Sequence, residues 1–253
     1  MKKELHIFLT AIMFYTRIPC PKWVDHNPII VSQTSKYISL IGILVGGIGS
    51  IAFYGSSFLF SNEISLLFSI LATIYATAGF HEDGFADVCD GFGGGWTKDK
   101  ILSIMKDSSI GVYGAIGIIL ILAFKFSALR EIDSALIPLV IISAHSASRF
   151  IAASLLYTHP YVRITNDSKS KAAAQKIPLY FLFTNFVIAS IPLLFFNKWE
   201  IFLVFIPMYL SKIFLGAKFK KWIGGQTGDC AGAVQQISEV VFYLSFIALW
   251  KYI

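Results

Sequence analysis

Long apolar runs separated by short polar stretches dominate the chain, at 37–60, 64–80, 110–129, 135–157, 177–196, 199–217 and 233–250. Crossing about 30 Å of hydrocarbon takes roughly 20 apolar helical residues, so each run predicts a transmembrane helix, the second a short one. The expected fold is all-α, a polytopic membrane bundle of about seven spans. It forms a single domain over residues 1–253, because no linker or internal repeat divides the chain. Ahead of the first span, Leu5, Phe8, Leu9, Ile12 and Met13 recur at helical spacing behind Lys2 and Lys3, and Pro19 and Pro21 stop the pattern. This predicts a short amphipathic helix that lies at the membrane surface or packs into the bundle. Gly42, Gly46 and Gly49 in the first span give the small-residue spacing that lets helices approach closely in lipid.

Composition agrees with the pattern. Of the 253 residues 56% are hydrophobic and only 14% charged, where a soluble domain carries about 25%; mean hydropathy is +0.68. The net charge of +6 does not indicate a nucleic-acid partner, because its distribution has a simpler reading. Lys2, Lys3, Arg17, Lys22 and Lys36 precede the first span, and Lys98, Lys100 and Lys106 follow the second. Arg163, Lys169, Lys171 and Lys176 follow the fourth, and Lys218, Lys220 and Lys221 follow the sixth. The other side keeps Arg130, Lys198 and Lys251. Cytoplasmic loops carry the excess of Lys and Arg, so the N-terminus is expected in the cytoplasm of a prokaryotic cell. Cys20, Cys89 and Cys230 have no paired metal spacing and read as free thiols of that side.

The chemistry concentrates after the second span. The stretch GFHEDGFADVCDGFGGG holds Glu82, Asp83, Asp87 and Asp90 and ends in Gly93, Gly94 and Gly95. On a helix Asp83, Asp87 and Asp90 fall within about 60° of one another. Like charges so placed repel, which points to a hard divalent cation such as Mg²⁺, whose ligands are carboxylate oxygens, waters and phosphates. The glycine run is expected to turn amide N–H groups toward an anion. Asp107 is a further ligand or an orienting group, or simple helix-end polarity. In the turn 224–229, Gly225 and Thr227 offer donors and Asp229 a carboxylate. Arg163 opens a basic loop suited to an anionic substrate or to lipid headgroups.

Inside the spans stand Lys125, His145 and Arg149, with Glu239 in the last. Charges there face the bundle interior and serve function. Lys125 is about one turn from the outer end of its span, within snorkelling reach. Arg149 suits a phosphate oxygen or a carboxylate, and His145 suits a satisfied core position. No P-loop, HExxH or paired CxxC occurs. Phosphoryl or phosphodiester transfer fits best. An ion-coupled transporter would also bury charge but leaves the acidic stretch unexplained.

These residues carry a resemblance. HEDGFADVCDG at 81–91 resembles the HxDGxADxxDG signature of the cobalamin synthase family, the adenosylcobinamide-GDP ribazoletransferases. TRIP at 16–19, IMKDS at 104–108, Gly111, Ser148 with Arg149, and GGQTGD at 224–229 with Gly232 resemble further family blocks in the family's order. The resemblance implies Mg²⁺-dependent attack of α-ribazole, or its 5′-phosphate, on the cobinamide-linked phosphate of adenosylcobinamide-GDP. The products are GMP and adenosylcobalamin or its 5′-phosphate. By position it implies Asp83, Asp87 and Asp90 as metal ligands, Asp107 and Asp229 as additional ones, and Arg149 as a phosphate contact. His81 is then a general base, or fixes an aspartate while the metal activates the hydroxyl. Two positions depart from the pattern: Ser109 stands where the family often has arginine, and Glu82 where it tolerates apolar residues. A spaced-aspartate phospholipid synthase of the CDP-alcohol type is the neighbouring reading, but its second acid pair is missing. The expected partners are the two substrates, the lipid bilayer and a second copy of the chain.

Overall fold

A computed structural model describes residues 2–24, 27–163 and 178–253. In chain order the longer helices are α1 (Lys2–Tyr15), α2 (Ile38–Ser57), α3 (Asn62–Thr77), α4 (Phe80–Gly94) and α5 (Lys98–Ile104). There follow α6 (Val112–Arg130), α7 (Ile137–Thr158), α8 (Leu179–Leu194), α9 (Phe205–Ile223) and α10 (Gly228–Trp250). The fold is all-α as expected, with one isolated bridge, Tyr161 to Gln226, among the described residues. Lys169, Lys171 and Lys176 lie outside them.

Each of the seven apolar runs contains a helix. Among the described residues five helical stretches are long and apolar enough to cross a membrane, or six if α3 and α4 count as one broken span. Helix α8, with 16 residues, is the short apolar member. Helix α3 also has 16 residues and stops at Ala78 and Gly79, both left-handed at φ 57° and 67°, so that α4 leaves it at 88°. The run that ends near residue 80 is therefore a helix that turns sharply, and the acidic stretch begins a new one.

In lipid, apolar side chains gain little by leaving the tails, so helices associate through close packing of small residues and polar contacts. Helix α7 sits at the centre, burying Ser143, Ala144, Ala147, Ala152 and Ala153. Helix α2 lies directly on it: a Cβ on Gly46 would stand 2.7 Å from the Ile142 Cα. Ser50 Oγ donates to the Pro138 carbonyl at 2.8 Å and Ser146 Oγ to the Ser39 carbonyl at 3.0 Å, joining the same pair. Ile116, Ile119, Leu120 and Phe124 of α6 and Ile206, Leu210, Ile213 and Phe214 of α9 point outward, a lipid-facing pattern. Helix α1 takes the packed alternative: its Ala11, Ile12 and Tyr15 bury against Ile38, Ile41, Val45 and Ala153, while Leu5 stays exposed.

Candidate active site

Helix α4 carries the acidic stretch and presses on the first turns of α10 and α6. The contact with α10 is possible because residue 84 is glycine; a Cβ there would stand 2.9 Å from the Asp229 Cα. Gly232, one turn on, likewise faces the His81 carbonyl. Asp83 and Asp87 of α4 are thereby brought up to Asp229 of α10, Asp83 exposed and the other two partly buried.

The turn before α10 is built to hold Asp229 in place. Gly224 adopts φ +85° and caps α9, and Gly225 packs so tightly that a Cβ would strike the Pro160 carbonyl. Gln226 N–H donates to the Pro160 carbonyl at 2.8 Å and Val162 N–H to the Gln226 carbonyl at 3.0 Å. This pairing carries Arg163 to Asp229, with Nη1 2.7 Å from Oδ2. The remaining Arg163 donors, Nε and Nη2, are buried with no protein partner among the described residues.

Arg163 is paired with Asp229, and its charge also reaches Asp87. Burial first, then the negative charges of Asp229 and Asp83, push the Asp87 carboxyl up to about 7; α4 itself lies outside the long spans. Among the described residues no group of three or more acid, His or Cys side chains is placed to hold a metal ion. The donor set nevertheless fits a hard cation: Asp83, Asp87 and Asp229 offer oxygen only, and their negative charge exceeds what Arg163 balances.

Other expected members have different duties. Asp90 Oδ2 and Oδ1 accept the Gly111 and Gly114 N–H groups at 2.7 and 2.8 Å. Both oxygens cap the start of α6, where backbone donors lack helical partners, so the expectation of Asp90 as a free metal ligand is corrected. Asp107 is exposed and accepts the Ser109 N–H at 2.9 Å, which holds its carboxyl below the ordinary range; it closes a local turn. The glycine run is not an anion nest. Gly93 and Gly94 are helical, and the Gly95 N–H donates to the Gly91 carbonyl, so this helix end presents carbonyls. Gly93 and Gly95 instead make room for the Tyr113 ring and for Ile101. Thr227 is the N-cap of α10, its buried hydroxyl accepting the Cys230 N–H at 3.3 Å, and Gly225 is a packing position. The Thr227 hydroxyl donates within the turn, to Asp229 Oδ2 at 3.4 Å.

His81 is buried at 4% exposure. It lies about 180° from Asp90 around α4, toward Arg149 and Glu239 in place of the acid face. Burial and then the Arg149 charge keep its pKa well below the usual imidazole value. His81 therefore lies toward the inner cluster and away from the acid face. Arg149 is 1% exposed, and its Nη1 contacts the His145 carbonyl and Nδ1, both at 3.0 Å. Instead of reaching a phosphate it belongs to an inner cluster. There Lys125 Nζ pairs with Glu239 Oε1 at 3.0 Å and His145 Nε2 lies 3.6 Å from the same oxygen. Lys125 therefore does not snorkel; it turns inward to a carboxylate. Gln235 and Gln236, which the sequence did not single out, complete this cluster. The signal available was the opposite charge of Lys125 and Glu239 on two spans, a combination that lipid tolerates only when paired.

Comparison with known proteins bears on the site as a whole. Residues 7–247 match the family described as Cobalamin-5-phosphate synthase. The chain is 41% identical over 251 residues to the adenosylcobinamide-GDP ribazoletransferase of Shewanella frigidimarina, covering 98% of this chain and 96% of that one. It is 39% identical over 246 residues to the protein of that name from Shewanella piezotolerans, covering 96% and 95%. No solved structure matches.

Proposed function

The chain belongs to the cobalamin-5-phosphate synthase family, and from that premise we propose that it is an adenosylcobinamide-GDP ribazoletransferase working at the acidic end of its bundle. A hydroxyl of α-ribazole, or of its 5′-phosphate, attacks the cobinamide-linked phosphorus of adenosylcobinamide-GDP. The bond to the GMP oxygen breaks, GMP leaves, and the new phosphodiester completes the corrinoid.

The observation that carries this reading is the convergence of Asp83, Asp87 and Asp229 with Arg163. Mg²⁺ held by those three carboxylates would supply positive charge to the diphosphate oxygens and the departing GMP. Arg163 contributes orientation: with Nη1 on Asp229, its free Nε and Nη2 suit a phosphate oxygen. Asp229 in turn fixes the guanidinium, and the pairing of 160–163 with the glycine turn fixes both. Asp90 works at a distance, holding α6 against α4 so that the acid face keeps its place.

The cluster sits where α4, α6 and α10 meet, with the exposed Lys218, Lys220 and Lys221 near the end of α9. Basic residues of that kind mark the cytoplasmic side, so the active end faces the cytoplasm of a prokaryotic cell membrane. The test is GMP formation by the purified protein in liposomes, given adenosylcobinamide-GDP and α-ribazole or its 5′-phosphate, with Mg²⁺ or with EDTA. GMP and corrinoid product in equal amounts, lost in EDTA, are expected. Folded protein that makes neither with either ribazole form overturns the assignment; product that persists in EDTA overturns the Mg²⁺ requirement.

A further inference from the structure

One chain of hydrogen bonds joins the buried charges to the acidic helix. Glu239 accepts Lys125 Nζ on Oε1 at 3.0 Å and Gln235 Nε2 on Oε2 at 2.8 Å. Gln235 Nε2 also donates to Ser148 Oγ at 3.0 Å, which ties the chain to α7. Gln235 Oε1 accepts Gln236 Nε2 at 2.8 Å, and the same nitrogen donates to Glu82 Oε1 at 2.9 Å. Every member on α10 and α7 is buried. Glu82 is the residue before Asp83, so the chain ends on the helix that bears the acid face.

The connection is one bond deep at its outer end. Among the described residues Glu82 Oε2 and Gln236 Oε1 are buried without hydrogen-bond partners, as is Arg149 Nε. A buried polar group left unpaired is costly, and the bond from Gln236 is the one side-chain hydrogen bond that Glu82 makes among those residues. Helix α4 meets α10 through the side-chain-free surfaces of Gly84 and Gly232, which allow close approach but give little resistance to rotation. A directional hydrogen bond to α10 adds to the Asp90 bonds to α6 in fixing the angle of α4 about its own axis.

We infer that Gln236, held by Gln235 and Glu239, is a positioning residue that sets the rotation of α4 and so aims Asp83 and Asp87 at Asp229. The inference rests on the acid face being the working surface of the proposed reaction. It assigns to the inner cluster a task besides stability: Lys125 and Ser148 anchor a bonded line from α6 and α7 to the site.

The test uses isosteric exchange of amide and carboxylate, so volume stays constant. In Gln236→Glu the group facing Glu82 and Gln235 Oε1 has no donor. In the double variant Gln236→Glu with Glu82→Gln, the donor between α4 and α10 returns from the other side, while the bond to Gln235 Oε1 stays unmade. Two readouts are taken on the full chain in detergent micelles without substrate: hydrogen–deuterium exchange of residues 80–94, and Mn²⁺ affinity by electron paramagnetic resonance. Exchange in α4 should rise in Gln236→Glu and Mn²⁺ affinity should fall about tenfold, the scale for groups that orient metal ligands. Both should move back toward wild type in the double variant, which restores the bond to α4 but not the one to Gln235. Unchanged exchange in Gln236→Glu overturns the positioning role, as does a double variant that stays as impaired as the single one. If wild-type protein binds no Mn²⁺, the metal reading of the acid face falls, and the exchange data alone still decide the positioning.

Discussion

The two charged regions of this bundle are built on opposite terms. In the inner cluster Glu239 faces Lys125 at 3.0 Å and His145 at 3.6 Å, with Gln235 and Tyr243 completing its hydrogen bonds. The Glu239 carboxylate is paired with a base there, and both are buried. At the acidic end Asp229 pairs with Arg163, Asp83 and Asp87 carry further negative charge beside it, and burial first and then that repulsion raise the Asp87 carboxyl. A buried charge that is matched holds a structure together, whereas a partly exposed cluster left unbalanced is one prepared for a ligand of opposite sign. The same residue types therefore read differently according to what faces them.

The largest effect should come from breaking the matched side. Glu239→Gln leaves the Lys125 ammonium buried without its carboxylate, a loss of about 3–5 kcal/mol for a broken buried pair. It would appear as a lower thermal unfolding midpoint in detergent, and Lys125→Met in the same chain should recover much of it. On the unmatched side the order of effects reverses. Asp87→Asn should leave the unfolding midpoint unchanged or raise it, because repulsion is relieved, while GMP formation falls on the order of 10²–10³-fold. A smaller change tests the contact that brings the halves of the site together. Gly84→Val drives two methyls at the Asp229 backbone and should cost about 1–3 kcal/mol by overpacking, with activity falling further than stability alone explains. Asp90→Asn keeps one acceptor for the α6 amides, so a loss near 1 kcal/mol is expected, the usual scale for a weakened cap. Asp107→Ala lies at the bottom, within about 0.5 kcal/mol, as for an exposed site away from such features.

Much of this was readable before any coordinates. Apolar runs of about 20 residues gave the all-α class, because in lipid only helices and closed barrels satisfy the backbone and barrel strands are about half that length. The acids at 83 and 87 announced themselves by like charge on one helical face. What the pattern could not show was where each helix face points after packing. Asp90 shares the spacing of its neighbours but meets the amides of Gly111 and Gly114. His81 of α4 and Arg149 of α7 turn inward to a cluster shared with α6 and α10. The glycine run at 93–95 suggested a nest, yet the helix continues through it because Tyr113 and Ile101 occupy the space that side chains would fill. Gln236 gave no signal at all, since an amide near a helix end is common and only its bond to Glu82 gives it a role. The spans at 64–80 and 177–196 were placed correctly as helices, but length alone does not make either a full crossing.

The central claim is that Asp87 belongs to the reaction site while Asp90, three residues along the same helix, serves the fold. It is tested most directly by measuring GMP formation for Asp87→Asn and Asp90→Asn side by side, in liposomes matched for folded protein. The account predicts a loss of at least about two orders of magnitude for Asp87→Asn and a loss within about tenfold for Asp90→Asn. Equal losses in the two variants, or an Asp87→Asn protein that turns over like wild type, would contradict it.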